Sequence, residues 1–492
     1  MNILLVHPRF PDTFWSFKYA LKFVRKKAVL PPLGLLTVAS LLPHFWAKRL
    51  VDVNIQPLKP EDLEWADYVF IGAMTVQQAS VREILGRCRE AGVKVVAGGP
   101  LFTSEPGKFP EVDHLVLNEA ELTLPPFLAD LESGCPRKLY SNPGYADIQS
   151  SPAPMWELAD LRRYASMSIQ YSRGCPFNCE FCNVTALFGH QPRTKTPGQI
   201  VRELDGLCRL GWREQIFFVD DNFIGNKTRL KKDLLPSLAD WRKRNGRVTF
   251  YTEASVNLAD DAELMGQMAR AGFDTVFVGI ETPDEAGLAE CNKKQNCNRD
   301  LVESVKRMQR AGLQVQAGFI VGFDSDTPSI FKRQIDFIQR SGIVTAMVGM
   351  LQAPPGTRLY KRLESEGRLT GDISGDNVDG TTNVLFRMNS DLLLEGYKEI
   401  MRHIYSPKHY YKRVRTLLRE YRPVVRPPPS LARFMAFGRS VVHLGLLGRE
   451  RFEYWKLLAW AAARRPRLVS QAVTLSIYGH HFRKTCEQRL GG

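Results

Sequence analysis

The sequence predicts an α/β protein built in series. A Rossmann-like, doubly wound parallel sheet fills residues 1–140, a linker 141–160, a partial (β/α)6 barrel 161–357, and a mostly helical, basic region 358–492. Three observations predict this. Short β-branched runs alternate with amphipathic stretches in two separate regions, as in parallel sheets covered by helices on both faces. Between the two regions lies SNPGYADIQSSPAP (141–154), rich in Pro and Ser and without a period. Charge is uneven: residues 407–492 hold 18 Lys/Arg and four Asp/Glu, so this tail carries +14 of the chain's +15.

Taken in order, strands are expected at 2–7, 51–55, 68–73, 93–97 and 114–117, with helices at 33–42, 77–91 and 119–131. The turn Ala97-Gly98-Gly99-Pro100 follows a strand, where an open α/β sheet places its ligand; from these residues alone a plain tight turn is the preferred reading. After the linker, strands are expected at 167–172, 215–219, 248–253, 275–280, 314–320 and 346–351. Helical patterns at 198–210, 229–245, 261–271, 299–311 and 328–341 separate them, implying five right-handed crossovers. Six βα units are too few to close an eight-stranded barrel, so the barrel is open, with chemistry at the C-terminal strand ends. Past Pro354 the alternation stops, and beyond Arg426-Pro-Pro-Pro429 the tail reads as helical.

Hydrophobic residues at 44% and charged residues at 24% exclude a disordered chain, a collagen and a disulfide-stapled mini-protein. Nine cysteines, three of them within eight residues, suit thiolate ligands in a reducing cytosol. The opening MNILLVHP reads as a strand rather than a signal peptide. The most apolar window, 29–46, is broken by Pro31, Pro32, Gly34 and Pro43 and reads as core helix rather than membrane span. A cytoplasmic protein is expected, with peripheral contact at the inner face of the membrane.

The chemistry rests on Ser172-Arg-Gly-Cys175-Pro-Phe-Asn-Cys179-Glu-Phe-Cys182, directly after the first barrel strand. Three thiolates spaced C-x3-C-x2-C on one loop can hold a four-iron cube and leave one iron open for catalysis. They can also bind a structural zinc if His190 supplies a fourth ligand. Both remain open on spacing alone. Cys88, Cys135, Cys208 and Cys486 fall in helical or loop patterns and read as inert, and Cys291 with Cys297 do not make a metal site by themselves.

Over residues 166–360 the chain resembles the radical S-adenosylmethionine (radical SAM) superfamily. The cysteine loop carries Phe181 before its last Cys; Asp220-Asp221-Asn222-Phe223 ends the second strand and Glu253 the third. Gly279-Ile-Glu281-Thr ends the fourth, followed by Asn292-Lys-Lys-Gln-Asn296; Gly318-Phe-Ile-Val-Gly322-Phe-Asp324 ends the fifth, and Pro355-Gly-Thr357 follows the sixth. The resemblance implies that Cys175, Cys179 and Cys182 ligate a 4Fe-4S cluster. It further implies that Asp220, Asp221, Asn222, Glu253, Glu281, Gly318 and Gly322 face S-adenosylmethionine, with the aspartates on its amino group, Glu281 on its ribose and the glycines under adenine. Each also has a plain reading: a helix cap, a solvated carboxylate, a glycine that relieves crowding.

The preceding domain, with Pro31-Pro-Leu-Gly-Leu35, Val96-Ala-Gly-Gly-Pro100 and Asn118-Glu-Ala-Glu121, resembles the cobalamin-binding branch, which puts Gly98 and Gly99 beside the corrin. It departs from many cobalamin domains in lacking D-x-H-x-x-G. The strings at 7–40 and FFVDDNFIGNK resemble the group that includes the hopanoid C-2 methylase. This implies C-methylation of an unactivated carbon of a small molecule or lipid, with electrons from a flavodoxin or ferredoxin; cyclisation or rearrangement without methyl transfer is the rival. No catalytic acid or base stands out.

The tail allows two partners. Its aromatics sit among aliphatic runs at helical spacing, which disfavours a nucleic-acid-binding protein with a zinc loop. Arg449, Arg451, Lys456, Arg464, Arg465 and Arg467 flank the apolar run 457–463 with Trp460, the pattern of an interfacial helix on anionic lipid.

Overall fold

Ile3, Leu4, Leu5 and Val6 are all fully buried, so the first strand, β1 (Asn2–His7), is covered on both faces. Around it lie β2 (Ala47–Asp52), β3 (Tyr68–Gly72), β4 (Lys94–Gly98), β5 (His114–Val116) and β6 (Leu139–Tyr140), in the spatial order β2-β1-β3-β4-β5-β6 with every pairing parallel. This doubly wound order switches direction between β1 and β3, where open α/β sheets hold ligands. The computed structural model describes residues 1–246, 248–424 and 431–490. β2 lies upstream of the expected 51–55 because Asp52 caps the chain reversal: its Oδ1 accepts the Asn54 backbone N–H at 2.9 Å. Within the apolar window only Leu33–Leu41 is helical. The linker contains two 3-10 turns, Ile148–Ser150 and Trp156–Leu158.

The second sheet holds β7 (Met167–Ile169), β10 (Ile216–Phe218), β11 (Phe250–Glu253), β12 (Phe273–Glu281), β13 (Gln314–Val321) and β14 (Ala346–Met350). Its order β14-β13-β12-β11-β10-β7 is parallel throughout and open at β14 and β7, a partial barrel. A short antiparallel hairpin, β8 (Ser172–Arg173) with β9 (Arg193–Thr194), brackets the cysteine loop. Three of the connecting helices begin where a side chain caps them: Thr196 before Pro197–Arg209, Asp261 before Ala262–Ala271 and Asp300 before Leu301–Arg310 each accept a backbone N–H from the first turn. Along β12, Val276, Val278 and Ile280 bury beneath helices, while Phe277 turns to the barrel interior.

The region after the barrel is helical: Arg358–Ser365, Ser390–Tyr405, Pro407–Glu420, Leu431–Ser440, Arg451–Arg464 and Val469–Leu490. The Arg426–Pro429 boundary lies outside the described residues. Val469–Leu490 closes on the N-terminal segment, where Phe482 stacks on Phe14 with ring centroids 4.2 Å apart. Trp15 next to it donates to the Met347 sulfur at 3.0 Å and meets the Phe277 ring edge, so the N-terminal segment reaches the barrel interior. The 457–463 run is not an exposed stripe: Leu457, Leu458 and Ala461 are buried, and Trp460 is half-buried beneath the Arg419 guanidinium. The same period serves a helix packed inside the domain. Among the described residues no helix is long and apolar enough to cross a membrane.

His481 is fully buried in this closure and its ring Nε2 lies 2.9 Å from the Phe14 carbonyl. Burial pushes its pKa down to about 4, against the stabilising carbonyl. The unfolded chain takes up the proton near 6.5 and the folded chain does not, so stability is complete above pH 6.5 and drains as pH falls toward 4. The loss from this group is about 3 kcal/mol. Thermal melts from pH 7.5 to 4.5 should therefore fall more steeply for the parent than for His481→Gln; superimposable profiles would refute the assignment.

Candidate active site

All six strands of the second sheet present their C-terminal ends to one edge, and the cysteine loop leaves that edge after β7. Asp220 starts the construction. It is fully buried, and its carboxylate accepts the Tyr171 backbone N–H at 3.1 Å, the Ser172 Oγ–H at 2.5 Å and the Ser172 backbone N–H. These bonds end β7 at Ile169, short of the expected 172, and turn the chain into β8. Both Asp220 oxygens thereby accept bonds from the loop's own root, whereas no such bond to Tyr171 or Ser172 engages Asp221.

The loop is then held from three sides. Glu180, between Cys179 and Cys182, forms a two-pronged ion pair with Arg362 at 2.8 and 3.1 Å, and Arg362 also reaches Asp324. Asn292 Nδ2 donates to the Asn178 carbonyl at 2.7 Å, and the Glu180 N–H donates to the Cys291 carbonyl. From the first domain, Glu121 takes Arg173 at 2.8 and 3.0 Å and Glu119 takes Arg193 at 2.5 Å, one arginine on each strand of the β8/β9 hairpin. The Asn118-Glu-Ala-Glu121 motif is thus a clasp between the two sheets.

The donor set fits iron–sulfur ligation. Asn222 aims its amide nitrogen at Cys175 Sγ from 3.9 Å, and Gln295 aims its own at Cys179 Sγ from 3.7 Å, contacts that hydrogen-bond cluster sulfur. Burial pushes the Cys175 thiol up and Cys182 to about 12, so iron binding releases their protons. Among the described residues no group of three or more His, Cys, Asp or Glu is drawn together as a single-ion site, and His190, the fourth ligand a zinc would require, is exposed. Cys291 and Cys297 each donate to a nearby carbonyl, Leu288 at 3.6 Å and Lys293 at 3.7 Å.

Beside the loop stand the remaining carboxylates. Burial raises Asp221 to about 6, and burial with the like charges of Asp221 and Asp220 raises Glu253 to about 8. Buried Asp220 rises to about 7 despite its three donors. Glu281 sits at a β12 bulge with φ +64°, its Oε1 2.6 Å from the Lys293 ammonium. A Cβ at Gly279 would strike both groups, which is why glycine stands there. Burial works against the Lys293 charge, but Glu281 and the nearby cysteines outweigh it and raise its pKa.

The glycines divide. A Cβ at Gly318 would come 3.1 Å from the Phe277 ring in the barrel interior; Gly322, at φ +105°, lies against Phe386 and Leu393. In the first sheet, Gly98 abuts the Val116 carbonyl, and Gly99 at φ +92° abuts the Ala73 backbone at 3.1 Å. Crowding between neighbouring strand ends explains both. They lie on the same C-terminal edge as His7, whose buried Nδ1 has no partner and whose pKa burial lowers. The 371–380 loop bridges that edge to the barrel: Asp372 pairs with Lys108 at 2.6 Å, Gly375 packs on Thr75, and the Asn377 carbonyl lies against Gly349.

Trp15, Arg173 and Gln295 lie within strings singled out in the sequence but were given no role there, and Arg193 and Arg362 lie in none of them. The only local signal was a charged residue, Glu180, inside a cysteine motif.

Two family models match, the Radical SAM superfamily over residues 169–338 and a domain of unknown function, DUF4070, over 357–491. An uncharacterized methyltransferase of Synechocystis sp., sll1242, is 40% identical over 100% of this chain and 94% of its own length. The hopanoid C-2 methylase of Rhodopseudomonas palustris is 34% identical over 98% and 93%. In fold, the cobalamin-dependent radical enzyme OxsB superposes with a TM-score of 0.64 at 14% identity, covering 100% of this chain and 84% of that one. The methyltransferase TsrM of Kitasatospora setae gives 0.56 at 15% identity, over 74% and 75%.

Proposed function

This chain belongs to the radical SAM superfamily, in the group of methyltransferases that holds the hopanoid C-2 methylase, and from that premise we propose that it is a cobalamin-dependent enzyme that methylates an unactivated carbon of an apolar substrate. The observation that carries the reading is the shared place, at one barrel edge, of the three-cysteine loop, the Asp221 and Glu253 carboxylates and the Glu281–Lys293 pair, with the first sheet's own ligand edge across the 371–380 loop.

When bound, the 4Fe-4S cluster and S-adenosylmethionine supply the radical that removes hydrogen from carbon, and cobalamin supplies the methyl group. Cys175, Cys179 and Cys182 hold the cluster, with Asn222 and Gln295 donating toward its thiolates. Asp221 and Glu253 would receive the ammonium of S-adenosylmethionine, Glu281 its ribose, and the backbone near Gly318 and Gly322 its adenine. The edge formed by His7, Gly98 and Gly99 would hold the corrin. Apolar character in the substrate is supported by the lumen lining, where Phe217 stacks on Tyr251 at 4.5 Å and Trp15 meets Phe277 and Met347. Such walls orient a hydrocarbon and exclude water.

The test is anaerobic purification scored for iron, sulfide and corrin, followed by turnover with S-adenosylmethionine labelled at its methyl group. The expected product carries one labelled methyl. A product rearranged without label would replace methyl transfer by rearrangement, and one equivalent of zinc without sulfide would end the reading altogether.

A further inference from the structure

We propose that the surface formed by Leu431–Ser440, the turn that follows it and the first turns of Arg451–Arg464 docks on an anionic phospholipid bilayer. Leu431–Ser440 runs on without a break into the π-helical Val441–Leu446. Along this stretch Phe434 is 73% exposed, Leu446 59%, Leu447 74% and Phe452 66%. Folded chains cover most large apolar side chains, and several left open along one helix and the turn that follows it mark a contact surface. The exposure is built in. Trp455 donates its indole N–H to the Gly445 carbonyl at 3.0 Å, and a Cβ at Gly445 would come 3.1 Å from that ring, so the turn is braced with Leu446 and Leu447 outward.

Charge identifies the occupant. Residues 431–467 carry eight Lys/Arg and two Asp/Glu. Both acids are engaged: Glu450 is buried on Arg483 at 2.6 Å, and Glu453 pairs with Lys456 and Arg415. Arg449, Arg451 and Lys456 are exposed beside the leucines, and the Arg451 guanidinium sits 5.0 Å from the Phe452 ring. Aromatic and aliphatic side chains edged by cations match the interface of an acidic bilayer, with acyl chains for the leucines and phosphates for the arginines. A nucleic acid would use the cations and leave Leu446 and Leu447 in water.

A headgroup site adjoins this surface. Lys22, Arg439, His443 and His480 line a cavity of about 210 Å³ with Tyr19 and Phe23; among the described residues the one carboxylate in contact with these cations, Glu450 on His480 at 3.3 Å, is buried and shared with Arg483. Arg439 and His443 belong to the docking helix itself, so a lipid phosphate held there keeps the leucine turn at the membrane.

The experiment sediments the full chain with phosphatidylglycerol-containing vesicles and with pure phosphatidylcholine vesicles, at low and high salt. Partitioning at least tenfold stronger to the anionic vesicles, weakened by salt, is expected. Leu447→Ser/Phe452→Ser, altering only exposed side chains, should lose tenfold with an unchanged melting temperature, and Arg449→Glu/Arg451→Glu should lose the anionic preference. Equal binding to both vesicle types overturns the proposal, as does full binding by Leu447→Ser/Phe452→Ser. So does salt-sensitive binding to duplex RNA without vesicle binding, or a double variant that loses self-association instead. None of these outcomes bears on the methyl-transfer test.

Discussion

Each of Cys175→Ala, Cys179→Ala and Cys182→Ala should leave the purified protein without its full iron and sulfide and reduce S-adenosylmethionine cleavage to background. A three-thiolate site has no spare ligand. Cys291 and Cys297 cannot substitute, since each thiol is tied to a carbonyl of its own segment. The fold should survive, because the loop is anchored through Asp220, Glu180 and Asn292 rather than through sulfur. Iron and sulfide assays with a melting curve separate the two effects. Full iron content in any one variant would show that the cysteine in question is not a ligand.

The second large effect is expected at Arg173. Its partners Glu119 and Glu121 have side chains only 2% and 6% exposed. Burial alone would raise the Glu121 pKa, yet Arg173 and the Ser151 hydroxyl hold it down at about 2. Arg173→Ala strands Glu121, while Glu119 keeps Arg193, and breaking a buried pair from one side costs about 3–5 kcal/mol. The melting temperature should fall and cluster loading with it, because the hairpin under the cysteine loop loses one of its two ties to the first sheet and keeps only Arg193 on Glu119. Adding Glu121→Gln to Arg173→Ala removes one stranded charge and should recover part of the loss. A double variant no more stable than Arg173→Ala would mean that the clasp carries little energy.

What the sequence disclosed follows the range of the interactions. The second sheet's six strands were legible because each is an apolar run bounded by turn residues, and its helices because their apolar residues recur at helical spacing. The cysteine spacing is equally local. The clasp was not legible: Glu121 and Arg173 stand 52 positions apart, and nothing in either segment's period pairs them. Trp15 and Met347 are 332 apart. The β8 and β9 strands have two residues each, too few to show alternation. Asp220 looked like a ligand residue because its place at a strand end is visible, whereas its bonds to Tyr171 and Ser172 are not. The tail misled for a different reason. An apolar stripe edged by arginine serves an interior helix as well as an interfacial one, and only the packing of Leu457 and Ala461 separates them.

The stacking of Phe14 on Phe482 also sets a timetable. At ~5–20 residues per second, about half a minute to a minute and a half of synthesis separates these two rings. Through that interval the segment carrying Trp15 lacks the helix that pins it, and the barrel interior stands open on that side. The contacts of Trp15 with Phe277 and Met347 are therefore braced only once Val469–Leu490 has been made and has seated on Phe14.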